Sequence, residues 1–301
     1  MSGAAGSGAS AERPGWTGGS GRPVAPGLHL VATPIGAARD ITLTALDVLA
    51  GADILAAEDT RTLRHLMEIH GIALAGRPLI ACHDHNEAEV LPRILGALTA
   101  GKSVAYASEA GTPLVSDPGF ILARAAAEAG QKVIAAPGAS AVLAALTVAG
   151  LPSDRFLFAG FPPAAAGERA RFLAEMAAVP ATLVLYESPR RVRRLLAELS
   201  AALGGTRRAA LCRELTKKHE EVIRGTLDEI LAALGDSDPK GEIVLCLDRA
   251  PPRAAGAETI EDALRVALQT MSVKDAATFV AQTTGAPRRE VYQAALALAK
   301  A

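Results

Sequence analysis

The stretch "SVAYASEAGTPLVSDPG", residues 103–119, decides the fold. The run Val104-Ala105-Tyr106-Ala107 has no polar alternation, which is how a strand reads when both its faces are covered. The next twelve residues spend two glycines, two prolines and two acids on one turn, where a plain connection needs about four residues of softer chemistry. A helical pattern begins near Phe120. A buried strand, an elaborate loop and a helix together make the repeating unit of an α/β protein.

The same unit recurs on either side. "LHLVA" (28–32), "DILAA" (53–57), "LIAC" (79–82) and "KVIAA" (132–136) read as further buried strands with helical stretches between them. In "DITLTALDVLAGA" (40–52), Ile41, Ala45, Val48 and Leu49 share a helical face. A parallel sheet is expected, with ligands bound outside the carboxyl ends of its strands. The loops to inspect are "TPIGAARD", "AEDTR", "HDHNE", "SEAGTPLVSDPG" and "PGASA".

The second half repeats the theme, with strands expected at 155–161, 181–187, 207–215, 219–225 and 241–248. "SPRRVRRLLAELSAAL" (188–203) carries a helix start at Ser188-Pro189 and an apolar face of Val192, Leu195, Leu196 and Leu199. Arg190, Arg191, Arg193 and Arg194 fall on its other face. "TLDEILAALG" (226–235) reads as a second amphipathic helix. Two α/β domains are expected, at 28–150 and 151–250. The linker "RAPPRAAGAE" then leads to a helical tail at 258–301, with two helices around Gly285-Ala286-Pro287. Residues 1–27, rich in Gly, Ser, Ala and Pro, lack the apolar core of a signal peptide and are expected to be a disordered tail.

Composition narrows the function. The chain has 301 residues, enough for two cores, and only 3% aromatics, so those cores must be built from Ala, Val, Leu and Ile. A net charge of -1 gives no global nucleic-acid signal, and any basic site must be local. Three scattered cysteines fit neither a disulfide framework nor a four-ligand zinc site, and suggest a reducing cytoplasm. No apolar run is long enough to span a membrane. There is no Walker-type phosphate loop and no GxGxxG, which argues against nucleotide hydrolysis and dinucleotide redox chemistry.

The loops taken together resemble one family. "LVATPIGAARDITLTALDVL", "AAEDTR", "HDHNE", "SEAGTPLVSDPG", "PGASA", "GLPSDRF", "YESPRR" and "LCRELTKKHEEVIRGTL" follow the order and spacing of the ribosomal RNA small subunit methyltransferase I family. That family is a branch of the tetrapyrrole-methylase superfamily. The resemblance covers roughly Leu28 to Asp248 and is weaker in the tail. It implies S-adenosylmethionine-dependent 2′-O-methylation of a cytidine ribose in the decoding centre of 16S rRNA. It also implies two α/β domains with a cofactor cleft between them, and a homodimer. By similarity, cofactor contacts fall on Pro34, Ala110, Gly111, Thr112, Val115, Ser140, Ala141, Glu187 and Leu215. Glu109 stands where the family has Asp, Ala37 where it has Asn, Ala139 where it has Pro, and Arg190 where His is common.

That resemblance makes the opening loop a cofactor cradle. Gly111 would let backbone approach a ligand, Pro113 and Pro118 would limit the entropy lost on binding, and Asp117-Pro118 reads as a helix cap and first helical residue. The clusters "AEDTR" and "HDHNE" either cap the helices starting near Thr60 and Asn86 or meet the RNA. Asp59 and His85 are the candidates for a base acting on the 2′-hydroxyl. The acids and histidines are too bunched for a metal site, and none is expected. Arg61, Arg190, Arg194, Lys217 and Lys218 are the candidate RNA contacts, with Arg288 and Arg289 marking the tail. Two other readings share the sequence: a small-molecule tetrapyrrole methyltransferase, and a noncatalytic RNA-binding assembly factor.

Overall fold

The computed structural model describes residues 24–235, 238–250 and 257–299. It divides into two compact units, one running to Val148 and taking in Cys212–Glu221, the other formed by Ala149–Leu211 and Val222–Ala301.

In the first unit, β1 (Gly27–Val31), β2 (Ile54–Ala57), β3 (Leu79–Ala81), β4 (Ser103–Ala107) and β5 (Val133–Ala136) form one sheet in the order β3-β2-β4-β1-β5. All its pairings are parallel. The connecting helices are α1 (Leu43–Gly51), α2 (Thr60–Ile69), α3 (Glu87–Thr99), α4 (Phe120–Glu128) and α5 (Ala141–Ala149). Alternate residues of a strand point to opposite faces. Ala105 and Ala107 therefore pack with Leu49, Leu55 and Leu63 on one side, while Val104 and Tyr106 pack with Ile94, Leu98 and Leu122 on the other. Both faces are covered, as the continuous apolar runs required. Every strand points the same way, so the loops after β1 to β5 share one edge.

The sheet begins before the expected boundary. Gly27 already belongs to β1 and Val24 packs against the first core, so the tail assigned to 1–27 gives up its last residues to the fold. The remainder of that tail, and residues 251–256 of the expected linker, lie outside the described residues.

The second unit holds β6 (Phe156–Gly160), β7 (Thr182–Glu187), β8 (Arg208–Arg213), β9 (Glu221–Thr226) and β10 (Ile243–Leu247), in the order β6-β7-β10-β8-β9. It is a mixed sheet rather than a second parallel one: β7 runs parallel to β6 and antiparallel to β10. Only Glu214–Glu220 joins β8 to β9, too short for the dozen or so residues of a parallel crossover. Helices α6 (Ala166–Ala177), α7 (Pro189–Leu203) and α8 (Leu227–Leu234) complete this part. α7 starts with Pro189 after Ser188 and buries Val192, Leu195, Leu196 and Leu199. α8 opens on a capping box between Thr226 and Glu229. Beyond it, α9 (Ala257–Ala267), α10 (Val273–Thr284) and α11 (Arg288–Leu298) enclose a small core of their own around Leu264, Val280 and Val291. The tail therefore holds one helix more than the two expected around Gly285.

Candidate functional site

Three loops at the carboxyl edge of the first sheet are laced into one platform. Thr33 and Gly111 form an isolated antiparallel bridge, each N–H donating to the other's carbonyl at 2.9 and 3.1 Å. The Ser108 hydroxyl donates to the Gly111 carbonyl at 2.6 Å, and the Thr33 hydroxyl donates to the Ser108 carbonyl at 3.2 Å. Thr112 Oγ1 donates to the Ala139 carbonyl at 2.9 Å, tying in the loop after β5. Of the residues assigned to the cofactor by similarity, Pro34, Ala110, Gly111, Thr112, Val115, Ser140 and Ala141 all stand on these loops or at the start of α5.

Gly111 has φ +83°, and a Cβ there would lie 3.2 Å from Ile35 Cγ2. The close approach that requires glycine is made by the loop after β1. Leu114 and Ser116 also hold left-handed backbone, at φ 72° and 62°. Such conformations in non-glycine residues cost about 1–3 kcal/mol each and gather at functional sites.

Asp117 does not cap α4, contrary to the sequence reading. Gly119 occupies the N-cap at φ 103° with no side-chain cap bond, and a Cβ there would meet the Tyr106 ring at 2.7 Å. Glu87, at 3% exposure, supplies the cap instead: its Oε1 accepts from the Leu122 N–H at 2.7 Å. The half-buried Asp117 carboxyl instead feels the charges of acids from the loops after β2, β3 and β4. Burial first, then Glu58, Glu109 and Asp84, push its pKa up to about 7. Burial likewise raises that of Glu58, whose buried Oε2 has no hydrogen-bond partner among the described residues. Among the described residues no group of His, Cys, Asp and Glu is arranged to hold a metal.

The clusters "AEDTR" and "HDHNE" divide by task. Asp59 is the N-cap of α2, accepting from the Arg61 N–H at 2.7 Å, and its carboxylate also grips the Arg61 guanidinium at 3.2 and 2.7 Å. Those bonds lower its pKa to about 2, which suits it poorly to accepting a proton near neutrality. Asn86 accepts from the His83 N–H at 2.8 Å and donates to the Ala81 carbonyl at 3.0 Å, shaping the turn before α3. His85 is exposed after β3 and stands edge-to-face with His83, 6.0 Å between ring centres.

The segment between β8 and β9 locks onto the loop after β1. Glu214 and Thr216, at φ 51° and 64°, flank the buried Leu215. Thr216 Oγ1 accepts from the Ala37 N–H at 3.1 Å, and a Cβ on Gly36 would lie 2.6 Å from Thr216 Oγ1 and Lys217 Cγ. Lys217 Nζ reaches Glu214 Oε1 at 3.1 Å, while Lys218 is exposed.

In the second unit Glu187 is 3% exposed, and its carboxylate takes the Ser188 N–H at 2.7 Å and Arg191 Nη2 at 2.9 Å. Arg191 also donates to the Pro162 carbonyl at 2.6 Å, so it leaves the basic face that the helix pattern gave it. Arg190 is exposed; Arg194 is 53% exposed and 4.0 Å from Glu198. Arg288 and Arg289 are exposed at the start of α11. Sequence reasoning gave Ser108, Glu87 and Thr216 none of these bonds, whose partners lie 3, 35 and 179 positions away, and it gave Asp117 a capping role that Glu87 fills instead.

Residues 27–231 match the model of the tetrapyrrole (corrin/porphyrin) methylases, and residues 254–299 match that of the RsmI C-terminal HTH domain. A protein of Mesorhizobium japonicum named ribosomal RNA small subunit methyltransferase I is 48% identical over 278 residues, covering 92% of this chain and 94% of its own. One of the same name from Pseudomonas aeruginosa is 44% identical, covering 89% and 96%. Among solved structures, uroporphyrin-III-C-methyltransferase from Thermus thermophilus aligns with TM-score 0.52 at 21% identity, over 73% of this chain and 93% of that one. A conserved hypothetical protein from Aeropyrum pernix aligns with TM-score 0.58 at 20% identity, over 92% and 97%. At such identities these two show the fold. The chain belongs to the tetrapyrrole methylase family, in the branch of the ribosomal RNA small subunit methyltransferases I.

Proposed function

We propose that the protein transfers a methyl group from S-adenosylmethionine to the ribose 2′-oxygen of a cytidine in 16S rRNA, acting on the small ribosomal subunit. The observation that carries this reading is 48% identity over nearly the whole length of a relative named ribosomal RNA small subunit methyltransferase I.

The loops at the sheet edge fit the cofactor. Small residues at Ala110, Gly111, Ser140 and Ala141, with Gly36 and Gly138 exposed, leave backbone polar groups open to an adenosine and an amino-acid end. The carboxylates of Glu58, Glu109, Asp84 and Asp117 give that edge a negative potential, which favours a cationic sulfonium donor. Pro34, Thr112, Val115 and Leu215 would add to the contacts, and Glu187 enters the contact set by the family resemblance alone. When bound, the cofactor supplies an electrophilic methyl group on sulfur.

The protein's own work is to bring the ribose oxygen into line with that methyl and to receive its proton. Holding the reactants aligned can supply about 7–11 kcal/mol of barrier reduction, and a positioned base adds roughly 10²–10⁴-fold. Of the two groups named for the proton, His85 offers an exposed ring at the end of β3, whereas Asp59 is committed to Arg61. Arg61, Arg190, Arg194, Lys217 and Lys218 are proposed to meet phosphates, with Arg288 and Arg289 adding to them. Action in the cytoplasm as a homodimer belongs to the same reading. The buried Cys82, Cys212 and Cys246, none of them in a disulfide, suit a reducing compartment, and among the described residues no helix is long and apolar enough to cross a membrane.

The test is transfer of labelled methyl groups to small ribosomal particles from a strain lacking the gene, with mass spectrometry of the modified nucleotide. A ribose-methylated cytidine in 16S rRNA is expected. Methylation of a free tetrapyrrole with none on the particles would overturn the substrate, and absence of any cofactor binding would leave an RNA-binding assembly factor. Light scattering near 31 kDa at micromolar concentrations would remove the dimer.

A further inference from the structure

Asp59 spends both carboxylate oxygens on a single neighbour. Oδ1 accepts from the Arg61 backbone N–H at 2.7 Å and from its Nε at 3.2 Å, and Oδ2 accepts from Nη2 at 2.7 Å. The backbone bond alone caps α2, and serine or asparagine would serve as well. The ion pair is at the surface, with the Arg61 side chain 90% exposed and that of Asp59 25%. Pairs so exposed contribute little to stability. The second oxygen and the charge therefore do little for the helix. What they do is fix a guanidinium that would otherwise sample many rotamers, at the edge of a parallel sheet where ligands bind.

A guanidinium held on its Nε side keeps Nη1 for a second anion and loses less freedom on taking it. Its neighbourhood makes the placement consequential. Glu109 is close enough to act on the Arg61 charge, and Glu58 belongs to the same acidic group. Those carboxylates repel an RNA backbone, so one pinned cation beside them admits a phosphate at one place. We propose that Asp59 is a positioning residue that holds Arg61 as a phosphate contact for the RNA next to the target nucleotide. This inference rests on the rRNA methyltransferase reading above.

The test uses full-length Asp59→Ser, Asp59→Asn, Arg61→Ala and the double variant Asp59→Ser/Arg61→Ala on undermethylated small ribosomal particles. Both Asp59 variants retain a capping oxygen, and matching melting temperatures would verify their folding. Each is expected to raise KM for the particles roughly three- to ten-fold, with kcat within about two-fold and cofactor affinity unchanged. Arg61→Ala should do the same and flatten the salt dependence by about one phosphate's worth, a slope change of 0.7–0.9. In the Arg61→Ala background the Asp59 change should add nothing. Simple charge removal predicts the opposite sign, because losing an acid favours RNA binding. A KM that stays or falls in Asp59→Ser overturns the inference, and so does a collapse of kcat at unchanged KM, the mark of a proton acceptor. If the wild-type protein itself leaves the particles unmethylated, it is the function reading that fails, and the inference goes with it.

Discussion

Thr33 and Gly111, 78 positions apart in sequence, exchange backbone hydrogen bonds at 2.9 and 3.1 Å between the loops that leave the paired strands β1 and β4. This bridge, with the Ser108 and Thr112 hydroxyls around it, ties the loops after β1, β4 and β5 into one platform rather than three independent turns. Preorganisation of that kind reduces the ordering cost of binding.

Gly111→Ala tests the platform. The substitution forces a left-handed residue to carry a Cβ, at a cost of about 1–2 kcal/mol, and presses that Cβ on Ile35. A lowered melting temperature and weaker S-adenosylmethionine binding by calorimetry are expected together. Unchanged values of both would mean the bridge can yield without consequence.

Glu87→Ala removes the acceptor of the Leu122 N–H in a nearly closed environment. Leaving that donor unpaired should cost about 1–3 kcal/mol of stability, read by urea unfolding. Glu87→Gln keeps an acceptor and should cost less. Equal losses in the two variants would show that the charge, not the cap, is what matters.

Asp117 sets a sign for pH dependence. Its folded pKa of about 7 lies above the ordinary 3.8, so between these values the folded protein holds a proton that the unfolded chain has lost. This group's contribution to stability is therefore intact at low pH and declines as pH rises from about 4 to 7. Asp117→Asn should flatten that decline in thermal melts between pH 4 and pH 7. A melting profile identical to wild type would remove Asp117 as a titrating group.

Much of this was legible in the sequence, and the boundary of legibility is physical. β4 at Ser103–Ala107 and α7 at Pro189–Leu203 follow from local pattern: a doubly buried run, and a proline start with an apolar face. Asp117-Pro118 has the local chemistry of a cap, yet tertiary context overrode it, because Gly119 can take φ 103° under the Tyr106 ring and Glu87 reaches across from α3. The left-handed backbone of Leu114, Ser116, Glu214 and Thr216 was invisible for the same reason, since no local preference encodes a strained residue held by its surroundings. The mixed character of the second sheet was missed because β10 is as uniformly apolar as a parallel strand.

The acidic edge leads to a final expectation about ligand charge. Burial first, and then the charges of neighbouring acids among Glu58, Asp84, Glu109 and Asp117, raise the pKa of Glu58 and Asp117, so the potential there is negative and grows as Asp117 ionises. S-adenosylmethionine carries a sulfonium charge, and the demethylated product does not. Affinity for the donor should therefore rise a few-fold from pH 6 to pH 8 while affinity for the product stays nearly level, widening their ratio. Glu109→Gln, at an exposed position, should lower donor affinity and spare the product. Competition calorimetry at the two pH values, at low and at high salt, reads both effects, and added salt should shrink them for the exposed group more than for the half-buried Asp117. A ratio that stays constant with pH and in Glu109→Gln would place the sulfonium away from these carboxylates. The platform would then bind the cofactor by shape and backbone contacts alone.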